Sequence, residues 1–149
     1  MADAKQIFEA LMLEAQSDIR SAKLLLDGME FSRSIYHSQQ AVEKAMKASL
    51  VLTGIVITDD HWVSDRFIQA FPEMPNISNL IRDSKYLERQ ATKSRYPLFA
   101  SAERPLWIPS REYTEQDAED AYRKANTILR TIIQFLKEKH KISYKMDQP

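Results

Sequence analysis

The sequence contains no cysteine, and this absence excludes disulfide bonds, thiolate metal sites and cysteine nucleophiles. A chain without cysteine fits a reducing compartment, so we expect a cytoplasmic protein. Neither sign of charge is in excess, because Lys plus Arg and Asp plus Glu both number 21. The formal net charge is therefore zero. Any surface that attracts polyanions must therefore come from local clustering of basic residues.

Glycine is scarce, because only Gly28 and Gly54 occur in 149 residues. This scarcity argues against Gly-rich phosphate loops, dinucleotide-binding folds and hairpin-rich β-structure. No apolar run approaches the ~20 residues that span a bilayer. The first ten residues also lack the basic start and apolar run of a signal peptide. We expect no association with membranes.

The apolar residues recur three or four residues apart, which is the spacing of an amphipathic helix. No window shows the sustained alternation of a strand. The sequence therefore predicts an all-α fold, an up-and-down antiparallel bundle of four main helices plus one short helix. The predicted helices are Ala4–Asp27, Ser32–Gly54, the short Asp60–Ala70, Ile77 to about Ser94, and Thr114 to about Leu136.

Residues that favour helix ends support these boundaries. Ser32 and Asn76 are predicted to cap the second and fourth helices with their side-chain oxygens. Thr114 with Asp117 is spaced as a capping box at the last helix. Gly54 can end the second helix in the left-handed conformation.

We expect one domain over residues 1–138 and a polar C-terminal tail over residues 139–149, with fraying from Lys137 onward. The segment from Tyr96 to Tyr113 contains three prolines and is predicted to be irregular. Irregular segments above ~12–15 residues are often functional.

The second predicted helix has an ordered polar face, formed by His37, Gln40, Lys44 and Lys47. Glu43 precedes Lys47 by four residues, so the two are expected to pair. Gln39 lies beside the apolar stripe, and a buried amide needs hydrogen-bond partners. Those partners could lie across a pair of helices or across a dimer interface.

The irregular segment combines basic and aromatic residues. Guanidinium groups clamp phosphates and aromatic rings stack on bases, so this composition suits a nucleotide or single-stranded RNA. Alternatively, the aromatic residues hold the segment against the bundle and the arginines are solvated. The residues that would form the binding site are Arg95, Tyr96, Arg104 and Arg111.

The three histidines, His37, His61 and His140, show no metal-ligand spacing with one another. No nucleophile elbow and no phosphate-binding loop of the Walker type is present. We therefore expect no metal, no cofactor and no catalytic residue of these classes.

Several motifs together resemble the HEPN domain family, over about Ala15 to Leu136. They are HSQQAVEKAMKASL at residues 37–50, His61 at the next helix, SRYP at Ser94–Pro97, and YTEQDA at Tyr113–Ala118. The resemblance implies a helical bundle that forms homodimers and binds nucleotides or RNA. It also implies a small nucleotidyltransferase as partner, in a toxin–antitoxin or defence pair.

The ribonuclease branch of this family has an arginine followed by a histidine after four to six residues. Arg95 resembles that arginine, but positions 100–102 hold Ala, Ser and Ala. Arg33 and His37 are one residue too close and lie on another helix. The missing histidine would supply the general acid or base, so RNA cleavage is not expected from this motif.

Three hypotheses follow from these observations. The leading one is a binding module for a nucleotide or RNA that uses Arg95, Tyr96 and the two lysines of the second helix. Polar contacts at the site or at a dimer interface would come from His37, Gln39, Gln40, Glu43 and His61. The second is a metal-independent toxin ribonuclease with a rearranged site that uses His37 or His61. The third is a structural dimerisation module.

Overall fold

A computed structural model of the chain describes residues 2–56, 63–98 and 106–146. Over these ranges the regular elements are helices, together with one isolated antiparallel bridge between Leu98 and Trp107. The all-α prediction is therefore confirmed. The helices are α1 (Ala4–Asp27), α2 (Phe31–Val51), α3 (Val63–Ala70), α4 (Ile77–Lys93), α5 (Pro109–Glu112) and α6 (Glu115–His140).

Two capping boxes begin the longest helices. At α1 the Asp3 carboxylate accepts from the Gln6 backbone N–H, while the Gln6 side chain accepts from the Asp3 backbone N–H. At α6 the predicted box is confirmed, because Thr114 and Asp117 exchange the same pair of bonds. Each box satisfies backbone donors that the first helical turn leaves without partners.

One predicted cap is wrong, and a second occupies the cap position without a side-chain bond. Helix α2 begins at Phe31, and its N-cap Glu30 makes no side-chain bond. Ser32 is buried one residue inside the helix, where its hydroxyl accepts from the Arg33 guanidinium at 3.0 Å. Asn76 does occupy the N-cap position of α4, but with φ of 56° and no side-chain cap bond.

The core lies between α1, α2, α3, α4 and α6. A connection of only three residues makes α1 and α2 antiparallel neighbours. The predicted apolar stripe of α2 is buried, including Ile35, Val42 and Met46. The stripe of α6 is buried as well, with Ile128 and Ile132 at its centre. None of the helices in the described ranges is long and apolar enough to cross a bilayer.

The ends of the second and third helices differ from prediction in part. Helix α2 ends at Val51, and Gly54 takes the expected left-handed conformation three residues later, with φ of 87°. The third helix ends at Ala70 as predicted. Its predicted start at Asp60 lies outside the described residues.

The irregular segment and the tail have more structure than predicted. The short helix α5 interrupts the segment expected to be irregular, and the Leu98–Trp107 bridge closes it. Helix α6 continues to His140, beyond the expected fraying at Lys137. The tail then returns to the bundle, and its partly buried apolar residues pack against the core, namely Ile142, Tyr144 and Met146. Apolar side chains at every second position explain why this polar tail docks.

Candidate functional site

A buried carboxylate on α1 holds two basic side chains of α2. Asp18 is 8% exposed, and Lys44 donates to its Oδ2 at 2.5 Å. Its Oδ1 lies 2.8 Å from His37 Nδ1. A carboxylate this close to an ammonium offsets its charge, so Lys44 presents little net positive charge to a ligand.

The other lysine of the polar face is paired within α2. Lys47 Nζ lies 3.5 Å from Glu43 Oε2, which confirms the pair expected from their four-residue spacing. Both predicted lysines of the site therefore have carboxylate partners. The α2 face is polar and nearly neutral, and lysine alone does not make it an anion site.

The two adjacent glutamines form a local pair. Gln39 is 3% exposed, and its Oε1 accepts from Gln40 Nε2 at 2.8 Å. The buried amide thus finds a partner on its own helix, which was neither of the two partners predicted for it. Gln40 remains half-buried at the surface, beside the arginine described next.

Arg95 follows the end of α4 and reaches across to α2. Its Nε donates to the Ala91 carbonyl at 3.0 Å, which fixes the side chain against the last turn. Its guanidinium carbon lies 5.0 Å from the centre of the Tyr36 ring and 5.3 Å from that of Tyr96. These are cation–π distances, and no carboxylate of the described residues pairs with Arg95. Its charge is held in place but not neutralised.

A small cavity of about 140 Å³ lies beside Arg95, with Gln39, Gln40, Glu43 and Glu88 in its lining. This volume accommodates a few waters but no nucleotide. Burial raises the pKa of the Glu88 carboxyl, although the Ser64 backbone N–H donates to it at 3.3 Å. Because two carboxyl groups line the interior, an anion would meet favourable charge at Arg95 and not inside the cavity.

Two aromatic residues of the segment before α6 hold that segment against the bundle. Trp107 Nε1 donates to the Lys93 carbonyl at 2.8 Å, and the Tyr113 hydroxyl donates to Gln90 Oε1 at 2.6 Å. Their rings pack edge to face at 5.4 Å. These two residues anchor the segment to α4. Burial raises the pKa of Tyr113 to about 12.

The remaining predicted site residues differ in where they lie. Tyr96 is 56% exposed and contacts Arg95, so its ring is accessible. Arg111 is exposed on α5. Arg104 and His61 fall within ranges that the structure does not describe.

Sequence reasoning missed two members of the site, Asp18 and Tyr36. The ring of Tyr36 lies 5.3 Å from the ring of His37 and also contacts Arg95, so it connects the two. Asp18 could have been noticed, since it is an acid beside the apolar stripe of α1. Its partners could not, because they lie on another helix.

Comparison with known proteins agrees with this fold. A relative from Methanocaldococcus jannaschii, named "Putative toxin MJ1304", is 41% identical over 133 residues, which is 85% of this chain and 86% of the relative. The crystal structure of TT1696 from Thermus thermophilus is similar with a TM-score of 0.70 and 25% identity, covering 85% of this chain and 96% of that one.

A second solved structure, the archaeal HEPN homologue ST0689, is similar with a TM-score of 0.64 and 25% identity, over 89% of this chain and 96% of that chain. The model of the HEPN domain matches residues 8–139. That match includes α2 and α4 together with Asp18 of α1 and Arg95, so the described residues that build the site lie within it. The chain belongs to the HEPN domain family.

Proposed function

We propose that this HEPN protein binds the phosphate of a nucleotide or of RNA at Arg95. The observation that carries the proposal is an arginine held by Tyr36 and the Ala91 carbonyl, without a carboxylate partner in the described ranges. A pre-positioned guanidinium binds phosphate with little ordering cost. The exposed ring of Tyr96 offers a base a surface for stacking.

Supporting roles go to the other predicted residues. Gln40 lines the mouth beside Arg95 and can hydrogen-bond a ligand. Arg111, and with it Arg104, would contact further phosphates of a longer RNA. Lys44 and Lys47 contribute less than arginines without partners, since each shares its charge with a carboxylate.

Isothermal titration calorimetry with ATP and with a single-stranded oligouridylate tests this site. Arg95→Ala is expected to weaken binding by about tenfold, the size of one charge-assisted contact. Arg82→Ala is the matched control, because Arg82 is an exposed arginine of α4 paired with Asp83. Equal heats for wild type and Arg95→Ala would contradict the proposal.

A second function, metal-independent RNA cleavage, is favoured by the contact between Asp18 and His37. A carboxylate that holds Nδ1 orients the imidazole and leaves Nε2 for proton transfer, the arrangement of a general base with its orienting acid. Arg95 lies on the neighbouring Tyr36, where it could stabilise phosphate charge. The M. jannaschii relative, named as a toxin, is consistent with this activity.

Cleavage of a labelled RNA in the presence of EDTA separates the two functions. The ribonuclease hypothesis predicts that His37→Ala and Arg95→Ala abolish cleavage, whereas the binding hypothesis predicts no cleavage by wild type. Growth arrest on expression should follow cleavage. Cleavage that persists in His37→Ala would exclude this histidine as the acid or base.

The partners we propose are a second copy of the chain and a small nucleotidyltransferase, with both proteins in the cytoplasm. The proposal rests on membership of the HEPN family and on the named toxin relative. Light scattering after size exclusion tests the homodimer. A neighbouring gene for a small nucleotidyltransferase, followed by co-purification, tests the other partner.

A further inference from the structure

A second basic surface lies between α1, α6 and residues 141–146. These elements enclose an open groove of about 1190 Å³, far larger than the cavity beside Arg95. We call it the α1–α6 groove. Its lining includes five basic residues, which are Arg20, Lys23, Arg130, Lys137 and Lys145. None of the described residues that line it is Asp or Glu.

Most of this charge is not neutralised. Arg130, Lys137 and Lys145 are exposed, and none has an ion-pair partner among the residues that the structure describes. Lys23 differs, because it contacts Asp27 at 3.0 Å in a pair exposed to solvent. Several like charges in a concave surface focus the potential and attract a polyanion.

A buried amide at the floor of the groove has an unused donor. Gln16 is 5% exposed, and its Oε1 accepts from the Tyr144 hydroxyl at 2.8 Å. Its Nε2 has no hydrogen-bond partner in the described ranges. A buried donor without a partner costs roughly 1–3 kcal/mol, so an acceptor on a ligand in the groove would be favoured there.

The groove lies on the opposite side of α1 from the Asp18–His37 contact. Gln16 and Asp18 are two residues apart, which rotates their side chains by about 200° around the helix. The groove and the Arg95 site are therefore separate surfaces. Substitutions in one need not disturb the other.

We propose that the α1–α6 groove binds single-stranded RNA through its phosphates. Cations on both walls, and over two turns of α6 from Arg130 to Lys137, match an extended polyanion better than a single phosphate group. Tyr122 and Asn126 line the same wall and can contact bases by stacking and hydrogen bonding. The proposal extends the RNA-binding function and rests on it for the class of ligand.

Fluorescence anisotropy with a labelled oligouridylate of about 12 nucleotides tests the groove, since single-strand sites commonly cover ~4–16 nucleotides. The double variant Arg130→Glu/Lys137→Glu is expected to weaken binding at least about tenfold and to flatten the dependence on salt. The control Arg82→Glu/Lys139→Glu changes the net charge equally at exposed residues outside the groove. We expect it to weaken binding less than about twofold.

The same assay separates failure of the groove from failure of the Arg95 site. If Arg95→Ala loses binding and the groove variant does not, the groove proposal is overturned and the Arg95 site stands. The reverse result supports the groove and removes the Arg95 site. Equal losses of affinity in the groove and control variants would show that only the net charge matters, and would overturn the groove proposal. A polyglutamate peptide that binds as tightly as RNA would overturn the assignment to RNA.

Discussion

The polar face of α2 and the α1–α6 groove carry similar basic residues but differ in what surrounds them. On α2, Lys44 and Lys47 contact Asp18 and Glu43, so little net charge is left. In the groove, Arg130 and Lys137 face solvent without a carboxylate partner among the described residues. The comparison teaches that the number of cations on a helix does not give its affinity for anions, because nearby acids decide it.

Part of this difference arises from local spacing. Residues three and four positions from Arg130 and from Lys137 include no Asp or Glu, whereas Lys47 has Glu43 four positions before it. The partner of Lys44 has another origin, because Asp18 is 26 residues away in sequence. Only the packing of α1 against α2 brings that pair together.

The largest expected effect comes from removing the buried acid. Asp18→Asn leaves His37 and Lys44, both partly exposed, without their shared carboxylate, and we expect a loss of about 2 kcal/mol in the free energy of unfolding. Urea denaturation measures it. The control Asp27→Asn, in an exposed pair with Lys23, should leave the free energy of unfolding close to that of the wild type. Equal losses of stability in the two variants would contradict the distinction between a buried and an exposed carboxylate.

The bond between Tyr113 and Gln90 of α4 should make the protein sensitive to alkali. The pKa of Tyr113 is raised to about 12 in the folded protein, from 10.0. Between these values the unfolded chain loses the phenolic proton and the folded one keeps it, so stability falls as pH rises through this window. Tyr113→Phe should make that fall shallower and cost about 1 kcal/mol at neutral pH through the lost bond to Gln90. Thermal melts across the window measure both effects, and an unchanged alkaline slope would contradict the assignment.

A smaller effect concerns the acid in the cavity beside Arg95. Burial raises the pKa of Glu88 above its ordinary 4.5, because it disfavours the charged carboxylate. The stability that the protonated carboxyl contributes is therefore complete below pH 4.5 and is lost as pH rises through the pKa of the folded protein. In Glu88→Gln the melting temperature should therefore fall less steeply than in wild type as pH rises just above 4.5. The exposed Glu119→Gln should keep the wild-type profile. A Glu88→Gln profile identical to wild type would show that burial of this carboxyl has no energetic consequence.

The smallest effect is expected in the groove itself. Arg130→Ala/Lys137→Ala removes two exposed cations that stabilise no carboxylate of the described residues, so the free energy of unfolding should change by less than about 0.5 kcal/mol. Chemical denaturation measures this change. A loss above about 1 kcal/mol would show that these side chains serve the fold, and would weaken the contrast with α2.

Much of the fold could be predicted from residue spacing. The stripe from Ile35 to Leu50 and the capping box of Thr114 and Asp117 are local patterns, and both were confirmed. Helix α5 was missed, since four residues give no periodicity to recognise. The docked tail was missed because its apolar residues are few and contact helices distant in sequence.

The candidate site was less predictable than the fold. Arg95 was singled out from its neighbours, but its contact with Tyr36 joins the end of α4 to α2, and local spacing does not reveal that contact. The α1–α6 groove was not foreseen, because its walls come from both ends of the chain. Binding at Arg95 and binding in the groove are both predictions, which calorimetry and fluorescence anisotropy test.

By itself the sequence determined the helices, their polar and apolar faces, the pair of Glu43 with Lys47, and the absence of cysteine chemistry. The tertiary structure decided that Asp18 neutralises Lys44, and that basic residues from α1, α6 and the tail line one groove without an acid among its described lining residues. The physical reason is that helix formation depends on neighbours within one or two turns, whereas the charge of a surface depends on every group brought close by packing.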